Sequence, residues 1–383
     1  MLAEKKNCTG CGACAAGCPL NCIEMQADRD GFRYPIINGE RCISCRKCES
    51  LCPVLNKLPV YEEPQAYGAK HKDDGIRSLS SSGGVFPALA SFVLKNGGAV
   101  CGAAYAEDFS VEHRIIEDAE DIIKLQGAKY AQSRAERMFP RIRSILESGR
   151  HLLFTGTPCQ TAGLKAYLRR DYENLILVDM ICHGVPSPKV WKTYLEYRMQ
   201  EDANGAGISL VNQRDKSSGW SRYRYSLRID YQNGKTYSVQ QGKDMFMLGF
   251  VNNLYLRPSC AQCQFKGISR CADITLGDYW GVWDQHPEID DDKGVSLVLV
   301  NTKKGAEHWS KILDKVNAFA VDMQIALDQN PSAHNSSEPH VNREKFFNRM
   351  DSSDFSALVS EQLYGTPKTQ SSLRNFLRTF IKR

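Results

Sequence analysis

The sequence lacks a long hydrophobic run, a strong net charge and the common fingerprint of dinucleotide-binding folds. Its longest apolar stretch, Val85–Leu94, is much shorter than the roughly 20 residues that a membrane-spanning helix needs. A net charge of +5 does not by itself indicate a nucleic-acid partner. No G-x-G-x-x-G segment is present, which argues against a standard dinucleotide fold. Neither a membrane span nor a nucleic-acid partner is therefore expected.

An apolar signal region is also missing from Met1–Lys6, so the fifteen cysteines do not indicate a secreted disulfide scaffold. We expect a cytoplasmic protein, at most in peripheral contact with a membrane through a basic amphipathic tail. Packing of that tail against its own domain or a partner is the favoured alternative. The tail combines Leu373, Phe376, Leu377, Phe380 and Ile381 with Arg374, Arg378, Lys382 and Arg383.

Two cysteine runs with the same C-x₂-C-x₂-C-x₃-C-P spacing lie within residues 8–53. This spacing places three thiolates around one iron–sulfur cube and carries the fourth to the neighbouring cube. Zinc knots instead pair C-x₂-C units across longer gaps. Residues 1–57 are therefore predicted to form a bacterial-type ferredoxin domain with two 4Fe-4S clusters, and Cys22 is expected to be a packing thiol. The crossed ligand sets are Cys8, Cys11, Cys14 and Cys52 for one cluster, and Cys42, Cys45, Cys48 and Cys18 for the other.

The region from Ala66 to about residue 200 alternates strand-like and helix-like stretches, which predicts parallel βαβ units in an α/β domain. Ser133-x-x-Glu136 reads as a capping box at the start of one helix. The predicted strands are Ala66–Lys70, Ala99–Tyr105, His151–Phe154 and Leu175–Met180. The predicted helices are Val85–Lys95, Asp118–Leu125, Glu136–Ser148 and Thr161–Arg170.

An antiparallel insert is predicted after residue 207, because Asn233-Gly234 marks a hairpin between Tyr223–Asp230 and Lys235–Gln240. Lys303–Val316 reads as an amphipathic helix. The expected fold class is α/β, or α+β overall. Its predicted domains are a ferredoxin domain at 1–57, an α/β flavin and iron–sulfur domain at 66–300, and a C-terminal helical extension at 301–383.

Four further cysteines predict a third cluster. Cys159 and Cys182 each follow a predicted strand, and parallel neighbouring strands would bring both to one sheet edge. Cys260-x₂-Cys263 supplies two more thiolates. Four thiolates suit either a cube or a structural zinc, and a chain that already carries two cubes favours a third. Cys271 could replace one of the four.

Clusters pass one electron at a time, so a flavin that also handles electron pairs would suit this chain. Glycine-containing turns before helices can hold a phosphate, although most such turns are structural. Three candidate turns occur: Ser80–Gly84, Gly127–Ser133 with Lys129 as a charge partner, and Thr155–Thr157.

The combined motifs resemble one known family. They are Ser81-Ser82-Gly83-Gly84, Lys129-Tyr130 with Ser133, Thr157-Pro158-Cys159-Gln160, Cys182-His183-Gly184, Cys260–Gly267 and Asp273–Gly281. Over roughly residues 1–300 the chain is similar to the coenzyme F420 hydrogenase/dehydrogenase beta-subunit family, with a two-cluster ferredoxin domain fused in front.

The resemblance implies a flavin, FAD or alternatively FMN, that exchanges a hydride with a substrate, classically coenzyme F420. Relatives act on other partners, including a chlorophyll derivative and sulfite-linked systems. It also implies a cluster on Cys159, Cys182, Cys260 and Cys263. His183 could donate a proton near the flavin, or be an ordinary hydrogen-bonded loop residue. The candidate flavin-binding residues are Ser81, Ser82, Gly83, Gly84, Lys129, Ser133, Thr155, Gly156, Thr157 and Gln160.

The resulting hypothesis is a flavin-dependent oxidoreductase that couples hydride exchange to one-electron transfer through 4Fe-4S clusters. Its partners would be a small-molecule hydride donor or acceptor and a redox carrier or partner oxidoreductase subunit. One alternative is a non-catalytic electron-transfer subunit that serves a partner enzyme. Others are a zinc-binding scaffold and a reductase in cell-surface polysaccharide synthesis.

Overall fold

The computed structural model describes residues 2–61, 63–221 and 224–365. The basic amphipathic tail expected at 373–383 lies outside the described residues.

The described residues form thirteen strands and fourteen α-helices, and short 3₁₀ turns join several of them. The strands are β1 (Ile23–Ala27), β2 (Arg33–Ile37), β3 (Gln65–His71), β4 (Ala99–Tyr105), β5 (Val111–Ile116), β6 (Leu152–Thr155), β7 (Leu175–Met180), β8 (Ile208–Asp215), β9 (Ser226–Tyr231), β10 (Thr236–Gln240), β11 (Ile274–Asp278), β12 (Ser296–Val300) and β13 (Val316–Ala320). The helices are α1 (Ala13–Ala16), α2 (Lys47–Ser50), α3 (Asp74–Ser78), α4 (Val85–Lys95), α5 (Ile122–Leu125), α6 (Phe139–Glu147), α7 (Pro158–Leu168), α8 (Pro188–Ala203), α9 (Met245–Val251), α10 (Val282–Gln285), α11 (Lys303–Ser310), α12 (Met323–Leu327), α13 (Arg343–Arg349) and α14 (Phe355–Tyr364).

The N-terminal module contains two copies of one loop-and-helix unit beside the antiparallel β1–β2 hairpin. Gly12 precedes α1 and Arg46 precedes α2, and both have left-handed backbone angles, with φ of 75° and 57°. The two residues occupy equivalent places in the two cysteine runs. The left-handed turn allows each loop to reverse before its short helix begins, which keeps the first three cysteines of a run together.

A mixed sheet of eight strands forms the centre of the main domain, in the order β13-β3-β12-β11-β7-β6-β4-β5. Its core is a parallel block of β4, β6, β7 and β11. The flanking pairs are antiparallel, and two successive antiparallel pairings give β3 the same direction as the parallel block. The carboxyl ends of five strands therefore meet at one edge of the sheet.

Helices cover both faces of the parallel block, which is why its strands read as continuous apolar runs. Leu153, Ile176 and Val178 pack on one face with α4 and α5. Phe154 and Leu177 pack on the other face with α6 and α7, and this second core also includes Ala13 of α1. The ferredoxin module thus lies against the α6–α7 face of the main domain.

The predicted antiparallel insert is confirmed as a separate three-stranded sheet in the order β10-β9-β8. Its β9–β10 hairpin turns at Asn233-Gly234, where Gly234 has a φ of 82°. Aromatic residues of α8, α9, α13 and α14 form its core with Trp191, Tyr194 and Phe246 at the centre. The predicted βαβ unit is also confirmed as β6-α7-β7, with β6 and β7 parallel.

Two local predictions were wrong. Residues 303–316 do not form one helix, because α11 ends at Ser310 and the chain then enters β13, which pairs with β3 at the edge of the main sheet. Ser133 and Glu136 do not form a capping box, because the 3₁₀ turn at Glu136 begins from Ala135 without a side-chain cap. Both side chains have distant partners instead: Glu136 accepts from Arg33 at 2.8 Å, and Ser133 accepts from Gln160 at 2.9 Å.

No helix within the described ranges is both long and apolar enough to span a bilayer.

Candidate functional site

The two central cysteine-bearing loops emerge at the carboxyl edge of the parallel block. Leu152–Thr155 of β6 pairs in parallel with Leu175–Val178 of β7. Cys159 lies in the first turn of α7, directly after β6, and Cys182 lies two residues after β7. The prediction that these strands are parallel neighbours with a shared edge is therefore confirmed.

Cys260 and Cys263 meet this edge from a distant segment. All four cysteines line one pocket: Cys159, Cys182, Cys260 and Cys263. A 3₁₀ turn at Pro258–Gln262 carries the C-x₂-C pair. The Ser336 hydroxyl accepts the backbone N–H of Cys263 at 3.0 Å, which fixes the end of that turn. The fold thus gathers cysteines from three separate segments.

The chemistry of this pocket fits a cluster that binds thiolates. Burial and the neighbouring Cys260 and Cys263 thiols raise the pKa of the Cys182 thiol to about 12, against the opposing charges of Lys266 and Arg270. Burial and the other three thiols likewise raise the pKa of Cys159. Metal binding removes such protons, and its positive charge compensates the crowded thiolates. Lys266 donates to the Cys182 carbonyl oxygen and adds a positive charge beside the pocket.

Among the described residues, no three His, Cys, Asp or Glu side chains converge closely enough to share a single metal ion. A 4Fe-4S cluster makes a different demand, because each of its four cysteines binds a different iron atom.

Cys271 lies away from this pocket. Its thiol is buried near Asp179 and Lys165, and it lines a second cavity together with Leu175 and Asp273. Leu175 and Asp273 lie at the amino ends of β7 and β11, but the Cys271 thiol also interacts with Asp179 and Thr161 near the carboxyl edge. What separates Cys271 from the other four cysteines is that it does not line their pocket. The geometry therefore favours Cys159, Cys182, Cys260 and Cys263 over any set that includes Cys271.

The crossed ligand sets of the ferredoxin cysteines stay a prediction, and two sets of contacts bear on them. Burial raises the pKa of the Cys14 thiol, and the thiols of Cys11, Cys8 and Cys52 raise it further, so Cys52 lies with the first run. Cys18 lies instead beside Cys22, with 3.3 Å between the two sulfur atoms, and Cys42 also adjoins Cys22. Cys22 is thus a buried thiol in contact with a proposed ligand.

The two ferredoxin sets have different surroundings. Cys11 is buried against α7, where a Cβ built on Gly163 would lie 2.7 Å from Cys11 Cβ. Thr9 of the same loop lines the four-cysteine pocket. Cys45 is exposed, and the side chain of the adjacent Ile43 is 67% exposed. We call Cys8, Cys11, Cys14 and Cys52 the inner set, and Cys18, Cys42, Cys45 and Cys48 the outer set.

The three glycine-containing turns converge through side-chain amides. Gln126 Nε2 donates to Ser80 Oγ at 3.1 Å and links the first turn to the second. Gln160 Nε2 donates to Ser133 Oγ at 2.9 Å and links the second turn to the third. Gln160 also forms a capping box with Thr157 at the start of α7. The T-x-x-Q spacing of these two residues is a signal for this cap that is visible in the sequence. Thr155 and Gly156 connect β6 to this cap.

The Ser81–Gly84 turn packs tightly against the sheet. A Cβ on Gly83 would lie 2.2 Å from the Ala69 carbonyl oxygen and 2.6 Å from the Ser296 nitrogen, so glycine is required here for packing. Ser82 Oγ donates to the Val295 carbonyl oxygen at 3.0 Å. The α4 helix begins after Gly84 without a side-chain cap, which leaves its first N–H groups available to an anion.

Lys129 occupies a buried position between the turns. Its Nζ donates to the carbonyl oxygens of Leu125, Gln126 and Gly127, the shortest of these bonds being 2.8 Å. Burial lowers the pKa of Lys129 to about 7. Its amino group also lies 5.6 Å from the centre of the Tyr105 ring at the end of β4. Lys129 is therefore a weak cation with several carbonyl partners.

Sequence reasoning missed a polar cluster on β8. Arg214 pairs with Asp278 at 2.9 Å and approaches the Tyr130 hydroxyl at 3.3 Å. Gln213 accepts the backbone N–H of Tyr130. Among the residues that the structure describes, Gln213 Nε2, Arg214 Nε and the Tyr105 hydroxyl are buried without a hydrogen-bond partner. Unpartnered buried polar groups are unfavourable, so their grouping at this edge fits a bound polar molecule. Tyr130 and Asp278 lie in the quoted motifs, but β8 carries no comparable signal.

His183 lines the four-cysteine pocket and lies beside the polar cluster. Its ring is edge-on to Phe250 at 5.1 Å, and Phe250 in turn contacts Tyr130 at 4.7 Å between ring centres. Its Nδ1 lies 3.4 Å from Ser332 Oγ, whereas its buried Nε2 makes no well-formed hydrogen bond among the described residues. Burial lowers the pKa of His183, so its neutral form is favoured. One aromatic ring therefore separates His183 from the turns.

Comparison with known proteins gives three family-model matches. Residues 7–56 match the 4Fe-4S dicluster domain. Residues 66–138 match the N-terminal part of the coenzyme F420 hydrogenase/dehydrogenase beta subunit, and residues 149–323 match its C terminus.

Individual similar proteins share between 20% and 38% of their residues with this chain over the matched regions. The uncharacterized protein MJ1349 of Methanocaldococcus jannaschii is 24% identical over 348 residues, covering 79% of this chain and 85% of that protein. A ferredoxin-like protein in the nif region of Sinorhizobium fredii is 38% identical over 53 residues, covering 12% of this chain and 75% of that protein. A chain of the F420-reducing NiFe hydrogenase complex from Methanosarcina barkeri has a TM-score of 0.44 and 20% identity, covering 72% of this chain and 91% of that one.

Proposed function

This chain belongs to the coenzyme F420 hydrogenase/dehydrogenase beta-subunit family with a 4Fe-4S dicluster domain in front, and on that premise we propose that it is an iron–sulfur flavoprotein oxidoreductase. It exchanges a hydride between a flavin, FAD or FMN, and a small-molecule substrate of deazaflavin-like or other structure. Single electrons pass through 4Fe-4S clusters to or from a redox carrier or a partner subunit.

One observation carries this proposal: Cys159, Cys182, Cys260 and Cys263 line a single pocket that also includes Thr9 of the ferredoxin module. A cluster held there would adjoin the loop that carries Cys8 and Cys11, and Cys45 of the outer set is exposed. The cysteines thus provide a series of sites from the protein exterior to the carboxyl edge of the sheet.

A bound flavin supplies hydride chemistry together with one-electron steps. The uncapped start of α4 offers backbone N–H groups to its phosphate. Gln213 Nε2 and Arg214 Nε are buried donors that have no partner in the described part of the chain, and they provide hydrogen bonds at the same edge. Asp278 holds the Arg214 guanidinium in place through two contacts. Neutral His183 is available to hold or release a proton at Nε2.

An electron-transfer subunit without its own substrate is the second candidate. The observation that supports this candidate is that several side chains expected to bind the flavin already bond to other protein groups. Lys129 donates to three carbonyl oxygens, and Ser133 and Gln160 bond to each other. In this case the polar cluster would be structural, and electrons would pass through the cysteine sites alone.

The deciding experiment measures iron, acid-labile sulfide and released flavin per chain in protein purified without oxygen. Twelve irons with one flavin, about four irons for each cluster, would support the main proposal. About eight irons without flavin would favour the electron-transfer subunit. A colourless protein that contains zinc and lacks iron would refute both.

A further inference from the structure

A buried arginine lies where the ferredoxin module meets the main domain. Arg257 is 1% exposed. Its Nε donates to the Cys8 carbonyl oxygen at 2.8 Å, and its Nη2 lies 3.8 Å from Cys8 Sγ. Its own carbonyl oxygen accepts the backbone N–H of Cys260 at 2.9 Å. One residue therefore contacts the inner set and adjoins the four-cysteine pocket.

The guanidinium hydrogen-bonds to neutral oxygen atoms in the described structure. Nη1 donates to Gln132 Oε1 at 2.8 Å, and Nη2 donates to the Arg33 carbonyl oxygen at 3.0 Å. Its charge also lies 4.3 Å above the Tyr34 ring. Within the part of the chain that the structure describes, no carboxylate forms an ion pair with Arg257. A buried positive charge without a counter-ion is unfavourable.

We propose that Arg257 is the counter-charge of the inner cluster and raises its reduction potential. The inference rests on the part of the proposed function that assigns clusters to the cysteine sets. Reduction adds one electron and therefore negative charge to a cluster. A fixed positive charge and an N–H···S hydrogen bond stabilise that reduced form. Arg257 is thus a positioning residue: it would stabilise the reduced form of the inner cluster, next to the four-cysteine pocket.

The same geometry predicts how strongly the reduction potential of each cluster depends on Arg257. The inner cluster has the hydrogen bond to Cys8 Sγ, so its potential depends most on Arg257. A cluster at the four-cysteine pocket has Arg257 on its wall and responds less. The outer cluster has its exposed Cys45 in solvent and responds least. A residue that served only to join the two domains would not produce this order.

Arg343 provides a matched control. It is a second arginine at the same junction, and its guanidinium lies 5.9 Å from the Phe32 ring centre, compared with 5.5 Å for Arg257. Unlike Arg257, it has a carboxylate partner, Asp30, at 3.1 Å. Both variants remove one positive charge from the junction, but only the Arg257 guanidinium has a described hydrogen bond to a cysteine sulfur.

The test is a redox titration of the full chain with dithionite, which supplies one electron to each cluster, followed by electron paramagnetic resonance. The signals are assigned with Cys45→Ser and Cys182→Ser. In Arg257→Met, the ratio of reduced to oxidised inner cluster at fixed potential should fall at least tenfold, equivalent to about 59 mV. The outer cluster should not shift, Arg257→Lys should recover most of the native value, and Arg343→Met should shift the inner cluster much less than Arg257→Met.

Gln132→Glu tests the same idea without removing the arginine. It places a carboxylate against Nη1 and should also lower the inner potential. If Arg257→Met loses iron, the inner-cluster potential of Gln132→Glu becomes the test of the proposal. An unchanged inner midpoint in a fully loaded Arg257→Met or Gln132→Glu protein, or an equal shift of the outer cluster, overturns the proposal. A chain with only eight irons would remove the third cluster but leave the comparison of inner and outer clusters intact.

Discussion

The contact between α7 and the inner set yields a prediction that separates iron binding from folding. Gly163 lies inside α7, and a Cβ built there would be 2.7 Å from Cys11 Cβ and 3.0 Å from Cys11 Sγ. Gly163→Ala must therefore displace Cys11 or the helix. Alanine in a helix interior is about 1 kcal/mol more favourable than glycine. Overpacking costs about 1–3 kcal/mol.

The two effects partly cancel, so the free energy of unfolding of the iron-free chain should fall by about 0–2 kcal/mol. The inner cluster should suffer much more, because its ligand is the displaced atom. We expect a loss of about four irons per chain. Iron and sulfide analysis, combined with denaturant unfolding of the iron-free protein, measures both effects.

Gly39→Ala is the matched control. It lies in the same module, and a Cβ there meets no atom within 4 Å. It should therefore keep all its iron. Gly163→Ala protein that retains native iron content and an unchanged inner-cluster spectrum would show that the ferredoxin module does not pack on α7 as described.

The remaining predictions concern the third cluster and the buried lysine. Cys182→Ser should remove one cluster's iron, whereas Cys271→Ala should retain it because Cys271 lines the other cavity; equal losses would contradict the four-cysteine assignment. Burial lowers the pKa of Lys129 to about 7, below its value in the unfolded chain, so the unfolded state binds more protons above that pH. Stability should therefore rise between about pH 7 and 10, by at most about 1.4 kcal/mol per pH unit from this group. Lys129→Met should reduce that slope in denaturant unfolding measured at several pH values, and an unchanged slope would refute the assignment.

Several elements could be predicted closely from the sequence, because their signals are local. The strands at 99–105 and 175–180 and the helix at 85–95 have the predicted bounds. Their apolar runs end at turn residues, which mark the boundaries within a few positions. The Asn233-Gly234 hairpin is also local, because only residues that tolerate left-handed angles suit its turn.

Other features could not be predicted, because they depend on partners far along the chain. Ser133 has the spacing of a capping residue, yet its hydroxyl bonds to Gln160, which folding brings close. Thr157 and Gln160 form a capping box at the start of a different helix, α7. A capping motif indicates only that two side chains could reach a helix end. Competing contacts from other elements decide whether they do.

The sequence by itself determined the chemistry of this protein: the C-x₂-C-x₂-C-x₃-C-P runs place ligands within a few residues, so their spacing alone specifies ferredoxin-type clusters. It also brought Cys159 and Cys182 together by strand order. Only the tertiary structure decided that Cys271 lines a second cavity, and that Cys11 of the inner set is buried whereas Cys45 of the outer set is exposed. It also placed Arg257 between Cys8 and Cys260. The contacts of Cys11 with Gly163 and of Arg257 with Cys8 join segments more than 100 residues apart, and such packing leaves no periodic or spacing signal in the chain.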